Sequence, residues 1–265
     1  TLKDVKTFFS ENFNRKTQLR CNNSYVANYP YQEFQADIFF INDSENQEYS
    51  AALLMIDIFS KFMTIIPLKT RQSDDVLDAI KEGFKNMGKY PEMFYTDDEG
   101  SFKSNQADKF YTEHHIKHII TRTHAPVAER AVRTIKQMIF KRLELKEDAK
   151  WYEPEILSNA LVAYNYHLNN TVTNITPNEA RHDKNLINVK IQLETHALKN
   201  RKYPEIKIGD NVRIYTKKKN FQKENVSVWS VNKYQVSKIE ESHGQKKYYI
   251  DGQAKPLMRH EILKV

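Results

Sequence analysis

The first sustained apolar pattern along the chain is that of strands. Residues 34–41, 51–59 and 62–68 are short runs rich in Phe, Ile and Leu, separated by a polar turn at 43–46 and by the tight connection Ser60-Lys61. Three successive strands with short joins predict an antiparallel meander. The spacing then becomes helical: Val76, Leu77, Ile80 and Phe84 form an apolar stripe. Ser73 reads as the N-cap of that helix, Asp74 and Asp75 stand in the first turn where the macrodipole favours them, and Gly88 marks its end. A short strand at 93–96, a helix at 105–114, a strand at 116–121 and a helix from Val127 follow, then a helix over 153–167 and a short one starting at Pro177. A meander followed by alternating helix and strand predicts one layered α/β domain.

The flanks differ from this body. Leu2, Val5, Phe8 and Phe9 predict a short helix within 1–20, ahead of an Asn-rich polar stretch, so residues 1–29 read as a helical and extended arm. Residues 186–204 read as a helical linker. Beyond it, short strand candidates at 212–215, 234–239, 247–250 and 257–263, with joins at Gly209-Asp210, Gly244 and Asp251-Gly252, predict a small β-barrel over 205–265.

Composition narrows the classes. With 40% hydrophobic and 12% aromatic residues, a chain of 265 residues can bury a sizeable core, and only 6 Gly and 8 Pro exclude collagen-like or low-complexity chains. The single cysteine, Cys21, can form neither an internal disulfide nor a Cys-rich zinc site, which predicts an intracellular protein. The longest apolar run, 51–56, stops at Asp57, so no membrane span is expected, and no signal peptide opens the sequence. Net charge is +7, but it is unevenly distributed. Residues 201–265 hold 15 Lys/Arg against 7 Asp/Glu, net +8, whereas residues 1–200 hold 26 against 27, net −1. A near-neutral body with a basic C-terminal module points to a polyanionic partner contacted mainly through the module.

The chemistry-bearing candidates are carboxylates at element ends. Asp37 interrupts an otherwise apolar strand, where an unpaired buried charge is costly. Asp97 and Asp98 follow the strand at 93–96 and precede Gly100. Glu129 opens the helix that turns Val132, Ile135, Ile139 and Leu143 inward, which leaves Glu129, Arg133 and Lys136 together on another face. Acids from two strands and a helix suit hard cations, Mg²⁺ or Mn²⁺, and two such ions can drive phosphoryl transfer. On spacing alone, the same acids also fit solvated caps.

Ordered motifs add a resemblance. Phe34-Gln35-Ala36-Asp37, Tyr95-Thr96-Asp97-Asp98-Glu99-Gly100-Ser101-Phe102 and the run from His124 through Glu129-Arg130 to Arg133-Thr134-Ile135-Lys136 resemble the catalytic core of retroviral-type DDE integrases. They are most similar to those of Polinton/Maverick elements and virophages. The run from Ile56 to Phe62, Tyr164-Asn165 and Thr176-Pro177-Asn178-Glu179 extend the likeness over about 30–185. The resemblance implies an RNase H-like core over 30–185, a mixed five-stranded sheet with helices, followed by an SH3-like barrel. It also implies a polynucleotidyl transferase that processes 3′ ends and joins them to target DNA. Asp37, Asp97 and Glu129 would then be the catalytic triad holding two Mg²⁺ or Mn²⁺ ions. The Gly100 offset fits Asp98 and the Phe102 offset fits Asp97; Asp97, directly after the strand, is preferred, with Asp98 the alternative. Double-stranded DNA, both element ends and target, would be the partner, in a homo-multimer acting in the host nucleus, a viral factory or a virion.

His124, Arg130, Arg133 and Lys136 are the expected DNA contacts of the core, and Lys217, Lys218 and Lys219, near Tyr215 and Trp229, those of the barrel. Ile208-Gly209-Asp210 through Ile214 and Trp229-Ser230 resemble the barrel's opening strand and turn. With only Cys21, the family's N-terminal His₂Cys₂ zinc module is absent from these residues, and Thr1 in the first position reads as a processed or trimmed chain. Asp57 is read as a turn residue, and His114 with His118 as no metal site. Two other functions share parts of this pattern: an RNase H-type nuclease, and a catalytically silent domesticated DNA- or chromatin-binding protein.

Overall fold

The computed structural model describes residues 26–41, 48–121, 125–146, 148–200, 203–216, 228–242, 245–253 and 255–265. The expected helix within 1–20, the turn at 43–46, His124 and Lys217–Lys219 lie outside them. Two compact units are distinguished, one of Tyr25–Ala197 and one that includes Leu198–Val265.

The first unit is built on a five-stranded mixed sheet. Strands β1 (Glu33–Phe40), β2 (Ala51–Asp57) and β3 (Met63–Leu68) form the expected antiparallel meander, and β4 (Met93–Thr96) and β5 (Lys117–Ile120) complete the order β3-β2-β1-β4-β5. β4 runs parallel to β1, and β5 parallel to β4. Parallel neighbours need long crossovers, supplied here by α1 (Ser73–Met87) and α2 (Asn105–Glu113). Ser73 is the first residue of α1 rather than its cap: Gln72 holds the N-cap position without a side-chain bond, and Thr70 donates to Asp75 instead. Gly88 adopts φ 90° and closes the helix by donating to the Phe84 and Lys85 carbonyls, a conformation that favours glycine.

Strand alternation sends β1 side chains to two different cores. Phe34 and Ala36 join Leu53, Met55 and Ile66 beneath α1 and α2, through Val76, Ile80, Phe84 and Tyr111. Phe39 joins Leu54, Ile56 and Ile65 on the opposite face, beneath α3 (Pro126–Leu143) and α4 (Pro154–Val162), through Val132, Ile135, Ile139, Trp151 and Ala160. Leu143, expected inward, is only partly buried at the helix end. Odd-numbered residues of β1, Asp37 among them, therefore face α3.

The expected helix over 153–167 is α4 followed by a π-helical turn, Ala163–His167. Within that turn Asn165 is buried; its Oδ1 accepts from the Met63 N–H (3.0 Å) and its Nδ2 donates to the Met63 carbonyl (2.8 Å). One side chain thus satisfies both backbone groups of a residue on edge strand β3. Asp57 ends β2 fully buried, and its carboxylate accepts from the Phe59 and Ser60 N–H groups (3.2 Å each) and the Ser60 hydroxyl (2.5 Å), the turn role expected for it. Thr176 and Glu179 bond reciprocally as a capping box, Glu179 accepting from Thr176 N–H and hydroxyl at 2.9 Å, ahead of a 3₁₀ turn at Glu179–Arg181. Helix α5 (Leu186–Asn200) buries Val189 and Leu193 against Ile58, Phe59, Tyr95 and Ala180.

Beyond α5, the described residues of the second unit form strands joined by turns. Its sheet has the order β10-β6-β7-β8-β9, with β6 (Asn211–Ile214), β7 (Tyr234–Ser242), β8 (Gln245–Ile250), β9 (Leu257–Met258) and β10 (Ile262–Lys264). The single strand expected over 257–263 is split by a 3₁₀ turn, Arg259–Glu261. That turn joins the two edge strands of the sheet. At ~2 Å per residue it spans only about 6 Å, so the sheet must curl until its edges approach. Ile206, Val212, Val236, Tyr248, Ile250 and Ile262 fill the interior.

Candidate active site

Asp37 sits near the end of the central strand. β1 and β4 pair in parallel as far as Gln35 with Tyr95, and Asp37 and Asp97 each follow two residues beyond that last pair, Asp97 just past β4. Strand alternation puts Asp37 on the α3 face of β1. Glu129 lies in the first turn of α3, exposed, on the helix packed over that face.

Electrostatics register the convergence. Asp37 is half-buried and its carboxyl is pushed up to about 6, first by burial and then by the negative charges of Asp97, Glu129 and Glu99; a bond from the Ile38 N–H opposes the shift. Acids from three other positions act on this one group. Among the described residues, however, no three His, Cys, Asp or Glu side chains are close enough to share a metal ion. The carboxylates share one field without closing on a common point.

The neighbouring acids separate into different surroundings. Asp98 is exposed and bonds Lys103 at 2.5 Å, and it is not among the charges acting on Asp37. Asp97 is half-buried and its Oδ1 accepts from the Glu99 N–H at 3.3 Å. Glu99 in turn pairs with Arg71 at 3.2 Å. Behind Asp97, the buried Thr96 hydroxyl donates to the Asp97 carbonyl (3.0 Å) and meets His118 Nε2 at 2.9 Å. Burial pushes the His118 pKa down, which favours a neutral ring in this framework. His118 and His114 make separate bonds, the latter to the Phe110 carbonyl.

The cations expected to meet DNA lie on α3. Arg130 and Arg133 are exposed, and Lys136 is half-buried with Nζ 5.6 Å from the centre of the Phe39 ring, over the same face of β1 as Asp37. His124 and Lys217–Lys219 lie outside the described residues.

Residue reading of the sequence missed Gln35. It is fully buried beside the acids, and its Oε1 accepts from the backbone N–H groups of Val127 (3.0 Å) and Ala128 (3.2 Å) at the start of α3. The available signal was a Gln at an inward position of an apolar strand, two residues before Asp37. Such a buried amide needs partners.

The donor set is all oxygen, and a carboxyl raised by burial and like charges is one that a divalent cation would relieve. In donor chemistry these residues fit Mg²⁺ or Mn²⁺, while among the described residues their side chains do not close on one point.

Comparison with known proteins matches residues 27–126 to the integrase core domain family. An uncharacterised transposon-derived protein of Caenorhabditis elegans is 22% identical over 192 residues, covering 72% of this chain and 63% of that relative's length. The catalytic core domain of human T-cell lymphotropic virus 2 integrase, solved with magnesium in a trimeric form, aligns with TM-score 0.52 and 22% identity over 58% of this chain and 98% of its own. A chain from the simian T-cell lymphotropic virus intasome aligns with TM-score 0.69 and 17% identity over 100% of this chain and 90% of its own. At these identities the structures establish the fold, an RNase H-like core followed by an all-β unit. Residues 27–126 are thus similar to the integrase core domain family, within a fold shared with retroviral integrases.

Proposed function

We propose that the chain is a metal-dependent DNA integrase of a mobile element or virus. It would trim the 3′ ends of element DNA with water and join the resulting 3′-hydroxyls to target DNA. The observation that carries this reading is that Asp37, on the central strand, lies within electrostatic reach of Asp97, just past the neighbouring parallel strand, and of Glu129 on the helix over them, in a chain whose residues 27–126 match the integrase core domain family. Asp37 and Asp97 would hold one Mg²⁺ or Mn²⁺, and Asp37 and Glu129 a second. Bound there, the ions would activate the attacking water or hydroxyl and stabilise the leaving oxygen.

The remaining work falls to the chain's own side chains. Asp37 must be ionised to act, so its raised pKa makes the site dependent on proton release near pH 6. Arg133 and Lys136, with Arg130 and His124, would hold element-end phosphates along α3. Asp97 is favoured over Asp98 because it shares the field of Asp37, whereas Asp98 pairs outward with Lys103.

The curled C-terminal sheet supports an SH3-like barrel, and its net +8 module supports DNA contacts through Lys217–Lys219. The domain reading retained is a core over 30–185, a linker over 186–204 and a barrel over 205–265. The motifs favour an element of the Polinton or virophage kind. A homo-multimer is expected because two DNA ends must be joined together, and the site of action would be the nucleus, a viral factory or a virion. No described helix is long and apolar enough to cross a membrane.

The test incubates the folded protein with element-end duplex, target DNA and Mg²⁺ or Mn²⁺. Covalently joined product supports the reading. Hydrolysis without joining identifies an RNase H-type nuclease, and neither product identifies a silent DNA-binding protein.

A further inference from the structure

Helix α3 begins without a cap of its own. Ala125 occupies the N-cap and has no side-chain acceptor, and Pro126 at the first helical position has no N–H. The first intrahelical bond is Glu129 N–H to the Ala125 carbonyl, 2.9 Å. Only the N–H groups of Val127 and Ala128 are left over in this first turn, and both go to the Oε1 of Gln35. The orientation of the amide follows from this, because two backbone donors must meet an oxygen. Gln35 is therefore the complete N-terminal cap of α3, supplied from the neighbouring strand.

The location gives the cap a further consequence. Gln35 and Asp37 are successive residues on one face of β1, and Glu129 follows Ala128 directly. The cap ties the backbone beside Glu129 to the strand that carries Asp37. Gln35 Nε2 is buried with no hydrogen-bond partner among the described residues, so the amide is retained despite an unsatisfied donor. An apolar side chain would suit strand packing better, which argues that the acceptor is what the position requires.

We propose that Gln35 is a positioning residue that fixes the height and rotation of α3 over β1, and so sets Glu129 against Asp37 for metal binding. The proposal rests on the integrase reading of those two acids. Gln35 itself need not touch metal or DNA.

The experiment compares native protein, Gln35→Met and Asp37→Asn. Metal-free hydrogen exchange is measured over 125–130, Mn²⁺ binding by calorimetry, and kcat and KM for DNA processing on the same preparations. Gln35→Met should exchange about fivefold faster at the start of α3, the effect of losing a cap. It should bind Mn²⁺ on the order of tenfold more weakly, with kcat falling and KM for DNA nearly unchanged, as when a ligand's supporting partner is removed. Faster exchange with native Mn²⁺ affinity overturns the positioning role, leaving a purely structural cap; unchanged exchange overturns the cap. If Gln35→Met does not fold, Gln35→Glu keeps an acceptor for both N–H groups and must retain slow exchange and Mn²⁺ binding; loss of either overturns the proposal. A native protein with no Mn²⁺ response, matching Asp37→Asn, overturns the metal reading itself, an outcome distinct from a defect confined to Gln35→Met.

Discussion

Replacing Asp37 with Asn tests the electrostatics of the acid cluster before any DNA is added. In the folded protein the Asp37 carboxyl titrates at about 6 against an ordinary value of 3.8, so between those pH values the native state holds a proton that the unfolded chain has released. Stability must then fall as pH rises through this window and stay reduced above it. A shift of about two units sets a ceiling of ~3 kcal/mol, and the partial exposure of Asp37 lowers the expected value to about 2 kcal/mol. Asn carries no charge, so Asp37→Asn should stabilise the metal-free protein at pH 7.5 by that amount, or about 4–8 °C in Tm for a domain of this size. Near pH 4, where the native carboxyl is already protonated, the gain should nearly vanish. Differential scanning calorimetry in chelator at both pH values measures it. Equal Tm values at pH 7.5, or an equal gain at both pH values, would refute the claim that burial, with the neighbouring acids, raises the Asp37 carboxyl.

Further outcomes follow from the same structure. Adding Mg²⁺ should raise the Tm of native protein but not of Asp37→Asn, and the Mg²⁺ concentration needed should fall as pH rises from 5 to 7 because Asp37 loses its proton; a pH-independent titration contradicts this. Asn165→Leu leaves the Met63 N–H and carbonyl buried without partners and should cost about 2–4 kcal/mol in urea unfolding; a cost under ~1 kcal/mol would show that water replaces the amide. Replacing Lys217, Lys218 and Lys219 together by Ala should flatten the dependence of log K for DNA on log salt by about 2 to 3, each phosphate contact contributing ~0.9; an unchanged slope removes this run from the interface.

Much of the fold was legible because periodicity changes sharply along the chain. The meander, the 93–96 strand and the apolar stripe of α3 lie where alternation or helical spacing put them, since burial enforces both periods. The misjudged details are local. Ser73 resembles a cap, but the helix starts on it, and residues 257–263 are all compatible with a strand, yet the chain must turn there to bring the sheet edges together. Asn165 stood within a recognisable motif, but no sequence pattern reveals that its amide would serve the backbone of Met63, 102 residues away. Gln35 illustrates the same limit at the site. Its partners, Val127 and Ala128, are 92 and 93 residues distant, so the need for a partner was visible and the partner was not. The ambiguity between Asp97 and Asp98 arose because two offsets pointed to different acids; the charge of Asp97 acting on Asp37 and the Lys103 pair of Asp98 separate their surroundings.

In the proposed function, Asp37, Asp97 and Glu129 would join DNA through a shared metal site. The most direct measurement follows labelled element-end DNA becoming covalently linked to target DNA in Mg²⁺, using native protein, Asp97→Asn and Asp98→Asn, each first shown to be folded. Native protein should give joined product, Asp98→Asn a partial yield and Asp97→Asn none. Joined product from Asp97→Asn, or none from native protein under conditions where it is folded and multimeric, would contradict it.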